Sequence, residues 1–255
     1  MEKNNLFSKK EKNAFLKGIY SKIIDKDNLD KSMYEKTAKH ILKGVEKGFK
    51  EGINVKYNTP DIEMLKSLKE NVYIFSAAKT YHQTKDISNM LLNEKGEKIT
   101  FDEFNEKVSQ TFDTYNESYL ESEYNTAISS SRNASDWVTF EKNKDIYSQL
   151  QYQTIIDDST SEECEELDGF TANKDDSVWD NISPPNHFNC RCLLIEVDGE
   201  IESSKEEIPE LDEEFQQNSG KSGEIFNSEH PFFQVTKEDR ELAENNFNLP
   251  MPENE

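Results

Sequence analysis

The sequence is short of long apolar runs, of basic residues and of cysteine. No apolar run approaches the roughly 18 residues that a membrane-spanning helix needs, and the N-terminal residues lack the apolar core of a signal peptide. We therefore expect a protein that is made in a cytosol and has no membrane contact. The 255 residues include 30 basic and 52 acidic ones, a net charge of −22. This charge argues against a protein whose whole surface wraps nucleic acid.

The charge is unevenly distributed along the chain. Residues 1–60 contain 14 lysines and 8 acidic residues, a net of +6, and the remainder has a net of −28. A lysine-rich helix face in solvent is the favoured interpretation of this N-terminal region. The alternative is a weak DNA contact through residues 1–60.

Apolar residues spaced three to four apart predict helices through most of residues 1–150. Thr59 and Pro60 are typical of a helix start, and Thr100 with Glu103 has the pattern of a capping box. We expect an elongated helical array or bundle. A thin array of this kind buries little surface by itself, so the helices need a partner surface. The predicted helical segments are residues 6–26, 30–50, 60–81, 104–127 and 134–150.

The composition changes near residue 151. Residues 151–156 and 193–197 are rich in β-branched and aromatic or aliphatic residues and predict two strands. Residues 200–255 are acidic and poor in apolar residues, so we expect a linker at 200–214 and a partly disordered tail. The predicted fold is α+β, with a helical region at 1–150, a small β-containing module at 151–199 and the acidic tail at 200–255.

All three cysteines lie in the β-containing module with one histidine. Cys190 and Cys192 are two apart, so on one strand their thiols would face the same side. His187 lies on a turn shaped by two prolines, and Cys164 would reach the site from a distant loop. Since structural zinc takes four Cys or His ligands, we predict a Cys₃His site for Zn²⁺ made of Cys164, His187, Cys190 and Cys192.

Other chemistry remains open for these residues. Cys164 could form a disulfide with Cys190 or Cys192 outside the cytosol, or the thiols could be buried small apolar groups. Cys164 could also be the nucleophile of a hydrolase or peptidase with His187 as its base. The acidic residues that flank Cys164 argue against this last hypothesis, because they raise the pKa of the thiol and so disfavour the nucleophilic thiolate.

Two stretches of the module resemble the motif of the phage Mu F-like minor head proteins, also called phage head morphogenesis proteins. Two positions depart from that motif: Ser161 stands in place of its first cysteine, and Phe188 in place of the proline after the histidine. A four-ligand site therefore needs all of the remaining cysteines and the histidine. The matching residues are Asp157, Thr160, Cys164, Leu167, Asp168, Gly169, Pro184, Pro185, His187, Cys190, Arg191 and Cys192.

The resemblance implies a non-enzymatic minor structural protein of a tailed-phage or prophage head. Such a protein would associate with the phage portal and capsid proteins and assist head morphogenesis or DNA delivery. It would reside in the virion, in the head interior or at the portal vertex. The lysine-rich region at residues 1–60 would then contact either DNA or an acidic portal surface.

Overall fold

The computed structural model describes residues 6–50, 60–198 and 208–252. Long helices precede a small antiparallel sheet, and short helical turns follow it. The fold is therefore the predicted α+β arrangement of a mainly helical N-terminal region and a small β module. The helices are α1 (Lys9–Tyr20), α2 (Lys31–Lys50), α3 (Pro60–Asn89), α4 (Phe101–Asp113), α5 (Tyr119–Lys142), α6 (Glu162–Leu167), α7 (Trp179–Ile182), α8 (Ser219–Ser222) and α9 (Arg240–Glu244).

Two of the long helices begin with capping boxes. The Ser8 side chain accepts from the amide of Glu11 at the start of α1, and Thr100 does the same for Glu103 at the start of α4. Each glutamate reaches back to the amide of its capping residue, so two otherwise unpaired donors are satisfied. The predicted capping box at Thr100 is confirmed, whereas the predicted cap Thr59 lies outside the described residues.

The helical stretch from Phe101 to Lys142 differs in detail from the prediction. A π-helical turn, Thr114–Ser118, joins α4 to α5. The separate helix predicted at 134–150 is instead the end of α5, which stops at Lys142. The chain turns there because the amides of Ile146 and Tyr147 both donate to the Asn143 carbonyl, and β1 follows.

The chain divides into two compact units. The first comprises residues 1–40, 73–122 and 232–255, and the second comprises residues 41–72 and 123–231. The domain bounds at 150 and 199 that the composition suggested stay a prediction.

The first unit has two apolar clusters. In one, Phe15 of α1 packs against Phe112 of α4, with ring centroids 6.0 Å apart. In the other, Tyr81 of α3 stacks on Phe247 at 4.7 Å, and the Tyr34 hydroxyl donates to the Pro250 carbonyl at 2.7 Å. Part of the acidic tail is thus held against α2 and α3 by aromatic packing, which its low apolar content did not suggest.

The second unit contains the sheet, with strand order β2-β1-β3 and antiparallel pairing throughout. The strands are β1 (Gln149–Gln153), β2 (Thr171–Asn173) and β3 (Leu193–Val197). The predicted strand at 193–197 is confirmed; the one at 151–156 begins two residues earlier and ends at Gln153, and β2 was not predicted. Tyr152 pairs with Leu194, and both are buried with Trp137 and Trp179 in the core of the unit.

Residues 208–231 complete the second unit. Gly220 lies against Trp137, and Gly223 ends α8 with a φ of 72°, in the left-handed region that glycine tolerates. Leu211 and Phe215 are buried, although the predicted linker at 200–214 lies in large part outside the described residues. Among the described residues, no helix is both long and apolar enough to cross a membrane.

Candidate metal centre

Two separate segments of the second unit supply the cysteine and histidine side chains. Cys164 lies in α6, where its amide donates to the capping side chain of Ser161 at 3.3 Å. His187 and Cys190 lie in the turn between α7 and β3, and the Cys190 amide donates to the His187 carbonyl at 3.2 Å. Asn189 has a φ of 64°, which closes this turn.

Three of the four predicted ligands come together. The ligand atoms of Cys164, His187 and Cys190 all lie within 4.8 Å of one another, and the group could hold a metal ion. The two sulfur atoms, of Cys164 and Cys190, are 3.8 Å apart. This is well beyond the S–S bond length of about 2.05 Å, and all three cysteines of the chain are free thiols in this structure.

Cys192 lies next to this group but is not one of its three members. Its thiol hydrogen-bonds with Cys164, and its sulfur lies 3.6 Å from the hydroxyl of Thr154. The strand alternation expected for Cys190 and Cys192 does not apply, because β3 begins only at Leu193. The four-residue ligand set therefore stays a prediction, of which the structure assembles three members.

Polar side chains surround the cluster. The Tyr152 hydroxyl lies 3.5 Å from the Cys164 sulfur and accepts a hydrogen bond from the Asn186 amide at 3.2 Å. Thr154 donates to the Cys164 carbonyl and Ser129 to the Cys190 carbonyl, each at 2.7 Å. The sequence analysis did not identify these residues, since Tyr152 in β1 and Thr154 just after it resemble ordinary residues of a sheet.

The thiols and the imidazole shift one another's pKa. Hydrogen bonds from the Cys190 and Cys192 thiols lower the pKa of Cys164 far below its usual range, against the opposing effect of burial. The hydrogen bond with Cys164 raises the pKa of His187 to about 8 and that of Cys190 to about 11. The cluster thus favours one anionic sulfur, at Cys164, and metal binding would have to release the remaining thiol protons.

The His187 ring is held in one orientation by the backbone. Its Nδ1 lies 2.8 Å from the Phe188 carbonyl. Because a carbonyl can only accept, this geometry places the donor proton on Nδ1. Nε2 is then the nitrogen that can bind a metal, once the imidazolium has released its proton from that atom.

A bidentate ion pair connects the two segments that carry the cluster. The Arg191 guanidinium donates to both carboxylate oxygens of Asp157, at 2.7 and 2.6 Å, and holds the pKa of Asp157 down at about 2. Asp168, the other acidic residue of the motif, accepts from the Thr154 amide at 2.8 Å.

A family model described as Phage Mu protein F like protein matches residues 39–195, more than half of the chain. The chain belongs to this family. The match with the phage Mu F-like family covers the helices from α3 to α5, the whole sheet apart from the end of β3, and all four predicted ligands. Membership indicates a structural role in phage head morphogenesis and association with the virion. Comparison with curated proteins and with solved structures finds no match.

Proposed function

We propose that this protein is a minor structural component of a tailed-phage or prophage head, bound to the portal and capsid proteins and without catalytic activity. The match to the phage Mu F-like family carries the proposal. The helical build agrees with it, since long helices that bury one face are suited to contact with other subunits.

We further propose that the Cys/His cluster is a structural zinc site. Its donors are the thiolate and imidazole groups that zinc prefers. Two thiolates bound at about 2.3 Å to one tetrahedral zinc ion lie roughly 3.8 Å apart, and the Cys164 and Cys190 sulfurs have this separation. Cys164, His187 and Cys190 would hold the ion, and Cys192, adjacent to the turn, would complete the set.

Burial of the cluster supports a structural role over a catalytic one. The Cys164 side chain is only 1% exposed and Cys190 only 2%. A nucleophilic cysteine must reach a substrate, whereas a structural metal site is closed to solvent. A hydrolase using Cys164 and His187 would show one fast-reacting thiol under native alkylation; we expect slow labelling of Cys164 and Cys190 together.

Intact mass in the native state tests the zinc site. Protein purified without chelator should carry one zinc ion, which acid releases. Cys190→Ser should carry none, while Ile146→Ala, which changes an exposed side chain of the same unit, should retain it. Metal-free protein of normal fold in the wild type would overturn the zinc assignment without affecting the assignment to the head.

The composition of purified heads tests the virion role. Heads made by the phage or prophage that encodes this chain should contain it together with the portal protein. Cross-linking should join the two in intact heads, and Cys190→Ser should lower the amount incorporated while Ile146→Ala should not. Filled heads that contain the portal but lack this chain would overturn the proposal.

A further inference from the structure

A cavity of about 250 Å³ lies in the second unit beside the Cys/His cluster. One wall is a face of α5, and the other is formed by Ile155 and by residues 190–194. The apolar part of the lining comes from Ile128, Ile155, Leu193 and Leu194. Its size suits one long side chain better than a cofactor, because cofactor sites commonly measure several hundred Å³.

The cavity contains a carboxylate that no described residue neutralises by contact. Asp136 is half-buried, and its carboxylate makes no hydrogen bond or ion pair with any described residue. Arg132, one turn earlier on α5, acts on it only through the electric field, and Arg191 is engaged by Asp157. Burial accordingly raises the pKa of Asp136, and a cation at this place would remove that cost.

Asn133 provides a second unsatisfied group in the same wall. Its side chain is 6% exposed, and its Nδ2 has no hydrogen-bond partner among the described residues. Buried amide donors without partners are uncommon and costly. The lining also includes Arg132 and Arg191. The cavity therefore combines a carboxylate and an amide donor that have no contact partner among the described residues with an apolar wall.

The surface near the cavity favours a basic partner. Ile155 and Ile156 follow β1 with 49% and 59% of their surfaces exposed, and Ile155 reaches into the cavity lining. Four of the six residues of α6, which follows this loop, are glutamates. An exposed apolar pair next to acidic side chains is complementary to a segment that carries both apolar and cationic residues.

We propose that this cavity receives an arginine side chain from a loop of a partner protein. The guanidinium pairs with the Asp136 carboxylate, the arginine's methylene groups lie along Ile128 and Leu193, and a backbone carbonyl of the loop accepts from Asn133. The cavity shares Cys190 and Cys192 with the proposed metal site, and the inference goes beyond the proposed role in the head. Its test needs neither phage nor portal.

The test is an NMR titration of the zinc-loaded full chain with N-acetylarginine methylamide. We expect saturable shifts of amides in residues 128–136 and 190–194. The citrulline analogue, which has the same shape without the charge, should bind at least about tenfold more weakly, as expected for loss of a charge-assisted hydrogen bond.

Variants locate the contact. Asp136→Asn should lose the preference for arginine over citrulline, whereas Asp145→Asn, which changes an exposed acid of the same unit, should keep it. If Asp136→Asn fails to fold, the comparison of the two analogues on the wild type still decides. No saturable shift at tens of millimolar probe, or equal binding of the two analogues, would overturn the proposal.

Discussion

At the scale of single residues, the two departures from the phage head motif each have a structural counterpart. Ser161 stands where the motif has a cysteine, and its hydroxyl caps α6 by accepting from the Cys164 amide. Phe188 stands where the motif has a proline, and its ring packs edge-on against Phe215 at 4.9 Å. The first change replaces a potential ligand by a helix cap. The second packs the turn that carries His187 and Cys190 against Phe215, which follows the sheet in the chain.

The capping role of Ser161 can be measured. Ser161→Ala should lower the free energy of unfolding by about 1 kcal/mol, the usual effect of losing a serine cap. Ser161→Thr keeps a hydroxyl and should have the smaller effect. Urea unfolding of the zinc-loaded protein gives both values, and an alanine variant as stable as the threonine variant would contradict the cap.

Glu11 predicts a pH-dependent contribution to stability in the first unit. Its hydrogen bonds with Lys36 and Ser8 lower its pKa from 4.5 to about 2. A carboxylate with a lowered pKa stabilises the fold fully above its ordinary pKa, and the effect disappears as the pH falls toward 2. Glu11→Gln keeps the capping-box pattern but removes the charge that pairs with Lys36.

The Glu11→Gln variant should therefore be less stable than the wild type near neutral pH. The difference in stability should shrink as the pH is lowered from 4.5, the ordinary pKa of glutamate, to about 2, the pKa of Glu11 in the folded protein. Thermal unfolding at a series of pH values measures it, and a difference that does not change with pH would contradict this assignment. Glu94→Gln, in an exposed turn of the same unit, is the matched control.

The sequence indicated the members of the Cys/His group better than its geometry. Cys164, His187 and Cys190 were recognisable because few other residue types bind a soft metal, and the structure brings them together. Cys192 was predicted to join them through strand alternation, but β3 begins one residue after Cys192, so its role as a ligand stays a prediction. The sequence could not predict that Tyr152 and Thr154 contact the cluster, because these contacts with Cys164 arise only when β1 and the residue after it pack beside α6.

At the scale of elements, helices with local start signals were predictable and other elements were not. The start of α4 follows from Thr100 and Glu103, which interact within one turn. β2 has only three residues, too few for a periodic pattern, and it forms because Gln149–Gln151 pair with it. The π-helical turn at Thr114–Ser118 has no residue signal that distinguishes it from the helices on either side.

Asn71 of α3 holds a distant segment by three hydrogen bonds. Its Oδ1 accepts from the amides of Ile225 and Phe226 at 2.9 and 3.0 Å, and its Nδ2 donates to the Phe226 carbonyl at 2.9 Å. Asn71→Ala removes these three hydrogen bonds to buried backbone groups. We expect a loss of roughly 2–4 kcal/mol in the free energy of unfolding, on the basis of about 1 kcal/mol or more for each group.

Lys66→Ala is the control for Asn71→Ala. Lys66 is exposed on the same helix and forms only a surface pair with Glu70 at 3.8 Å, so its removal should change stability by less than about 0.5 kcal/mol. Limited proteolysis should also cut residues 208–231 faster in Asn71→Ala. Equal stability of the two variants would show that the contacts of Asn71 contribute little.

At the scale of the whole molecule, several of the 14 lysines in residues 1–60 pair with carboxylates of the first unit. Lys12 pairs with Asp113 at 2.7 Å, Lys26 with Asp239 at 2.5 Å, and Lys36 with Glu11. We therefore expect only weak binding to duplex DNA at low salt, with a shallow dependence on salt concentration. Fluorescence polarisation with a short duplex measures this slope; a steep slope, typical of many phosphate contacts, would contradict it.

Removal of metal should affect the two units differently. Structural zinc contributes apparent binding energies of about 10 kcal/mol to small sites, and the proposed ligands all belong to the second unit. The core of the first unit around Phe15 and Phe112 is an apolar cluster that contains none of the proposed ligands. With a chelator, hydrogen exchange should therefore accelerate in β1, which packs beside Cys164, and remain slow in α4.

Cys190→Ser without chelator should reproduce the pattern, and Ile146→Ala should not. Equal acceleration in β1 and α4 would show that the metal stabilises the whole molecule, and no change in either would remove its structural role.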